Sequence, residues 1–282
     1  MIGKLIAALA ALLAGTFLPA LVDGVVPRTG YHVVRDLAYG PGPRQRLDLY
    51  VPDGLKAGSK RSAPVLLFFY GGSWQSGAKD QYLAFGEAFA SEGFVVAVAD
   101  YRLYPQAKFP AFVEDGARAF HFLEGRAAAY GGDPGRIFVS GHSAGAYNAV
   151  MLAADPRYLK AAGSDISHLR GAIGLAGPYD FLPLSDPSLI AMFGGKDRKE
   201  TQPITFVGGR RPVMLLVSGT DDETVGPRNT SNMAARLKRF GSPVEVKFYP
   251  GLGHIGLLLS LARPFRFLSP LRADMAQFIR AH

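Results

Sequence analysis

Ser143 stands in the run Gly141-His142-Ser143-Ala144-Gly145, with a glycine two residues away on either side. A serine hydroxyl is a poor nucleophile until a base takes its proton and a carboxylate orients that base. The spacing suits a serine put to that use. A strand that enters a helix through a very tight turn strains the central residue and exposes its side chain. A Cβ at either flanking position would then collide with the neighbouring strand or helix. The helix behind the serine offers amide N–H groups and a partial positive charge to a nearby oxyanion. RIFVSGH (136–142) reads as a buried strand and 144–154 as a helix, so the motif has the context it requires.

Six histidines could serve as the base. His32 falls in the first strand region, His121 in mid-helix, His168 ahead of a strand, and His282 at the C-terminus. His142 adjoins the serine, and neighbours on a sharp elbow are expected to point apart. His254, in PGLGHIG, follows the last strand in a glycine-rich loop, from which its side chain can swing over the sheet edge. For the acid, SGTDDETVGP (218–227) places Asp221, Asp222 and Glu223 together at the end of the preceding strand. They read either as the orienting carboxylate or as an N-cap cluster. The order serine, acid, histidine is that of the α/β-hydrolases. All three groups would sit at the C-terminal edge of a parallel sheet, where open α/β folds bind ligands.

An oxyanion also needs donors. Gly71 and Gly72 follow the strand-like PVLLFFY (64–70), and adjacent glycines let backbone N–H groups approach a developing negative charge. The Ala144 N–H would be a further donor. Trp74, in the same loop, is expected to contact substrate.

The elements that position these residues alternate regularly. Strands are expected at 33–40, 46–51, 64–70, 94–101, 136–142, 171–177, 212–219 and 244–250, and helices at 78–91, 110–130, 144–154, 226–240 and 270–281. The first two strands flank a turn and read as an antiparallel pair; the rest are near-continuous apolar runs, as strands buried on both faces are. The pattern predicts an α/β fold, a mostly parallel sheet of about eight strands with helices on both faces. One catalytic domain is expected over 31–282, with the aperiodic, Pro- and Gly-rich segment 181–209 as a candidate lid.

Residues 1–24 differ in kind. One Lys4 precedes an uncharged apolar run from Leu5 to Val22, which predicts a secretory signal or a membrane anchor. The protein is then expected to be secreted, periplasmic or membrane-anchored. The 282 residues include no cysteine, which excludes thiolate catalysis and cysteine-based metal sites. The net charge of +8 comes from scattered lysines and arginines, so it reads as solvated surface and not as a nucleic-acid site.

Taken together, the chain resembles the α/β-hydrolase fold esterases of the hormone-sensitive-lipase and carboxylesterase type. The segments that carry this are Tyr70-Gly71-Gly72-Ser73-Trp74, Asp100-Tyr101-Arg102-Leu103, the run 131–146, the run 219–225, and Gly253-His254. Among those esterases the branch with an H-G-G-x-W motif is nearest, which includes kynurenine formamidases and prenylcysteine methylesterase-like enzymes. The resemblance implies Ser143 as nucleophile, His254 as base and Asp222 as the orienting acid. It implies oxyanion donors at Gly71, Gly72 and Ala144, a small-molecule ester substrate, and neither cofactor nor metal. Asp100, Arg102, Asp133 and Arg136 match positions read as loop braces. Two positions depart: Tyr70 stands where the family has histidine, and Ala146 where many members have glycine. The expected activity is hydrolysis of short to medium acyl esters, with arylformamide hydrolysis as the alternative. A non-catalytic, membrane-tethered binder on the same fold is the rival from another class.

Overall fold

The structure, a computed structural model, describes Val22 and residues 24–58 and 62–282. The N-terminal signal or anchor expected over 1–24 therefore lies, apart from Val22 and Gly24, outside the described residues. Among these no helix is long and apolar enough to cross a membrane.

Eight strands form one sheet: β1 (Tyr31–Ala38), β2 (Arg46–Pro52), β3 (Ala63–Phe69), β4 (Val95–Ala99), β5 (Gly132–His142), β6 (Leu169–Leu175), β7 (Val213–Gly219) and β8 (Val244–Tyr249). Their spatial order is β1-β2-β4-β3-β5-β6-β7-β8. The pairs β1/β2 and β2/β4 are antiparallel and all others parallel. Every residue of VVAVA in β4 and of VMLLVSG in β7 is buried, which is why these runs lack a polar alternation.

Helix α1 (Leu83–Ala90) joins β3 to β4, α2 (Ala111–Arg126) joins β4 to β5, and α3 (Ala144–Ala154) joins β5 to β6. The first crossover steps toward β1 and the others step toward β8. Right-handed crossovers in opposite directions put their helices on opposite faces. Accordingly α2 packs on α3, while α1 meets the last helix of the chain. Between them lie α4 (Pro156–Ala161), α5 (Pro187–Phe193), α6 (Arg228–Arg239), α7 (His254–Leu259) and the last helix, α8 (Leu271–Ala281). In α6 the buried Asn229, Thr230, Met233, Ala234 and Leu237 recur at helical spacing. The short α4, α5 and α7 have no such extended period and were not expected.

Candidate active site

The elbow forms because β5 stops at His142 and α3 starts at Ala144, leaving Ser143 between them at φ 55° and ψ −121°. That is a sparsely populated region for a residue with a Cβ. Its N–H donates to the Leu175 carbonyl of β6 at 2.9 Å, which ties the turn to the sheet. The flanking glycines are needed for contact. A Cβ on Gly145 would lie 1.9 Å from the Phe69 carbonyl oxygen, and one on Gly141 would lie 2.2 Å from the Gly145 backbone. Helix α3 can therefore sit directly against β3 and β5. Its first-turn amides, Ala144 among them, have no intrahelical acceptor.

Asp222 and His254 meet across 32 residues of sequence: His254 Nδ1 lies 2.8 Å from Asp222 Oδ2. The other carboxylate oxygen, Oδ1, accepts from the Thr224 and Val225 amides at 3.0 and 2.8 Å. Asp222 is 3% exposed, so both oxygens are fixed without competition from water. A carboxylate only accepts, so His254 Nδ1 donates and its Nε2 keeps a lone pair in the neutral ring. The neighbouring Asp221 stays exposed and bonds Thr220 Oγ1 at 2.7 Å; Glu223 is exposed as well. His254 is the first residue of α7, with extended Gly253 as its N-cap, and so sits at a helix start where a loop was expected.

The glycine loop faces the elbow closely. A Cβ built on Gly71 would lie 3.0 Å from Ser143 Cβ. Gly72, Ser73 and Trp74 all have positive φ, a bend that brings successive amides round to one side. Tyr70, the residue that departs from the family, anchors this loop. Its hydroxyl donates to Asp100 Oδ1 at 2.7 Å and accepts from Arg44 Nη2 at 2.5 Å. Arg44 also donates to the Gly77 carbonyl at 2.7 Å and the Tyr101 carbonyl at 2.9 Å. The Tyr70 ring stacks between Tyr82 and Tyr101, with centroids at 5.4 and 4.8 Å. Burial holds the Tyr70 phenol far above its ordinary range, so the hydroxyl stays a donor. Arg44 carries no motif and was missed; only its position beside Tyr70 and Asp100 in space gives it this role. Burial also raises the Tyr82 phenol to about 12, an effect partly offset by a hydrogen bond with the Gly71 backbone.

Asp100 is thus a loop brace, and Arg102 holds buried Asp115. Asp133 accepts from the Gly135 amide at 2.9 Å, and Arg136 reaches the Ile279 carbonyl at 3.4 Å.

His142 does not point away from the site. Its Nε2 lies 3.0 Å from the His254 carbonyl oxygen, and the two rings are 4.6 Å apart. The carbonyl accepts, so Nε2 carries the proton. Burial and, next, the neighbouring His254 push this imidazole down to about 3, so it is neutral over the working pH range. Sequence adjacency to Ser143 hid this residue, because the turn rather than the spacing decides where it points.

Ser143, His142, His254, Gly71 and Gly72 line one cavity of about 430 Å³. Its apolar lining comes from α1, α7 and the residues just after α7, with Val22 and Tyr82. Two expectations are corrected here. Trp74 is not among the lining residues: it is 3% exposed, donates to Asn148 Oδ1 at 3.0 Å and packs on Phe112, Tyr147 and Phe193. Positive φ at Trp74 sends the indole inward, so it is a core residue. Segment 181–209 contributes no lining residue either, because Phe181 and Phe193 join that same aromatic cluster.

An eight-stranded, mostly parallel sheet with this strand–elbow–helix unit is the α/β-hydrolase fold. The BD-FAE family model matches residues 47–237, and the chain belongs to this family of α/β-hydrolase esterases. It is 31% identical over 266 residues to the protein named probable isoprenylcysteine alpha-carbonyl methylesterase ICME of Oryza sativa subsp. japonica. That match covers 85% of this chain and 63% of the relative, so the chain spans less than two thirds of the plant protein's length. Identity to esterase LipC of Mycobacterium tuberculosis is 28% over 287 residues, covering 92% of this chain and 70% of LipC. Among solved structures, the thermophilic esterase Est2 of Thermogutta terrifontis superposes with a TM-score of 0.70 at 27% identity, covering 88% of this chain and 91% of Est2.

Proposed function

We propose that this protein is a serine hydrolase that cleaves short to medium acyl carboxylic esters through Ser143, His254 and Asp222. The observation that carries the reading is the 2.8 Å contact between His254 Nδ1 and a buried Asp222 carboxylate, behind the cavity that His254 and Ser143 both line. His254 Nε2 would take the Ser143 proton as Oγ attacks the ester carbonyl. The same proton then goes to the leaving alcohol, and water attacks the acyl-enzyme with His254 again as base. Asp222 stays ionised and supports the imidazolium that forms in each step. The oxyanion would rest on the Ala144 amide and on the glycine-loop amides of Gly71 and Gly72. The sequence of steps uses no metal or cofactor.

Ester cleavage is favoured over formamide cleavage by the names of the relatives, which are a methylesterase and esterases. The kynurenine formamidase-like branch was suggested by residues 70–74, and of these Trp74 lies in the core and does not line the cavity. Placement outside the cytoplasm or on a membrane remains our reading of the apolar run at 5–22.

The test is a panel of p-nitrophenyl butyrate and N-formylkynurenine on wild type and Ser143→Ala, with a fluorophosphonate probe alongside. Butyrate turnover and probe labelling should both vanish in the variant. Surviving turnover would show that the site is wrong. A marked preference for the formamide would replace the ester assignment, and an unlabelled, inactive wild type would favour the non-catalytic binder.

A further inference from the structure

Exposed apolar side chains are ordinary when scattered and informative when they gather. Five large hydrophobic side chains are exposed among the described residues: Val25, Phe248, Ile255, Phe267 and Leu268. All but Phe248 either line the cavity that holds Ser143 or stand within six residues, along the chain, of one that does. Ile255 lines it directly. Val25, 58% exposed, turns back to donate to the carbonyl of Val22, which also lines the cavity. Phe267, 81% exposed, and Leu268 end the 3₁₀ stretch Arg263–Leu268, which follows the lining residues Leu261 and Ala262. That stretch is clamped to the cavity wall. Arg266 donates to the carbonyl of the lining Leu261 at 3.0 Å, and to Glu87 of α1 at 2.6 Å.

Two further facts say what covers this rim. Val22 closes the uncharged apolar run of residues 5–22, so that run ends on the wall of the cavity. The chain carries a net charge of +8, and beside the rim Arg263 and Arg266 both pair with the buried Glu87, two cations on one carboxylate. An excess of basic charge next to an apolar surface favours an anionic lipid layer.

We infer that the rim of Val25, Ile255, Phe267 and Leu268 seats on an anionic lipid bilayer, and that the cavity takes its substrate from that bilayer. The substrate class is the carboxylic ester of an amphiphile, its apolar chain lying along Leu258 and Leu259 of α7. This rests on the ester-hydrolase reading and adds where the ester comes from. Water supplies a hydroxyl to the acyl carbon and a proton to the leaving oxygen, giving one acid and one alcohol.

The test compares the full chain with a Phe267→Ser/Leu268→Ser variant, neither residue lining the cavity. Each is given p-nitrophenyl acetate in solution and p-nitrophenyl decanoate embedded in vesicles of phosphatidylcholine and phosphatidylglycerol. The wild type should hydrolyse both. The variant should keep the acetate rate, which also shows that it folds, and lose roughly tenfold or more on the vesicle-borne ester. A variant that matches wild type on the vesicles overturns the proposal, as does a wild type that cleaves acetate but not embedded decanoate. If the wild type cleaves neither and Ser143 takes no fluorophosphonate, the ester-hydrolase reading itself has failed.

Discussion

His254 is held from two sides. Asp222 binds its Nδ1 at 2.8 Å, and His142 Nε2 contacts its main-chain carbonyl at 3.0 Å. The second contact makes His142 a positioning residue, and one with a pH signature. Its folded-state pKa of about 3 lies below the ordinary 6.5, so the unfolded chain binds a proton that the folded chain refuses. The contribution is favourable above pH 6.5 and is lost as pH falls from there toward 3. Wild type should lose about 2 kcal/mol between pH 7 and pH 5 that a His142→Gln variant does not lose. Urea unfolding at the two pH values measures this directly. Equal pH dependence in the two proteins would show that His142 is protonated in the fold.

At the scale of elements, the loop after β3 is held from behind by Tyr70, Asp100 and Arg44, none of which lines the cavity. Tyr70 replaces the histidine of the family and holds the loop through Asp100, Arg44 and two stacked tyrosines. Removing its hydroxyl takes one hydrogen bond from Arg44, which keeps the Gly77 and Tyr101 carbonyls, and one from Asp100, which keeps the Lys79 amide, while the ring stays in place. Tyr70→Phe should therefore lower stability by about 1–3 kcal/mol. It should also lower kcat several-fold with KM nearly unchanged, because the loop is read here as serving the transition state. Steady-state kinetics with guanidinium unfolding would check both. A rise in KM alone would mean that the loop shapes ground-state binding instead.

For the whole molecule, the aromatic cluster around Trp74 joins the loop after β3, helices α2 and α3, and segment 181–209. Phe112, Tyr147, Phe181 and Phe193 all contact the indole. The segment expected as a lid is in this way part of the second core face. Trp74→Ala should cost about 3–5 kcal/mol. Trp74 is the single tryptophan of the chain, so its fluorescence in wild type should change in the same transition as the far-UV circular dichroism. An earlier fluorescence transition would show that segment 181–209 detaches on its own. The site thus depends on one continuous core, since α3, which carries the elbow, also carries Tyr147 and Asn148 of the cluster.

Much of this was legible in the chain itself. Strands buried on both faces write themselves as unbroken apolar runs, and all eight strands could be placed within four residues of their observed ends and five helices within five. The elbow was legible because steric exclusion of a Cβ leaves glycine at both flanks, Gly141 against the Gly145 backbone and Gly145 against β3. Asp222 could not be told from Asp221 and Glu223 by such means, because the choice depends on which side chain turns inward beneath His254. Arg44, His142 and Trp74 were misplaced or missed for the same reason. Their roles are set by contacts across 26 to 112 residues, or by a turn whose sense no periodicity records. Local sterics and hydrophobic period are written along the sequence; the direction of a side chain at a turn, and the partner it meets there, exist only once the sheet has brought distant loops to one edge.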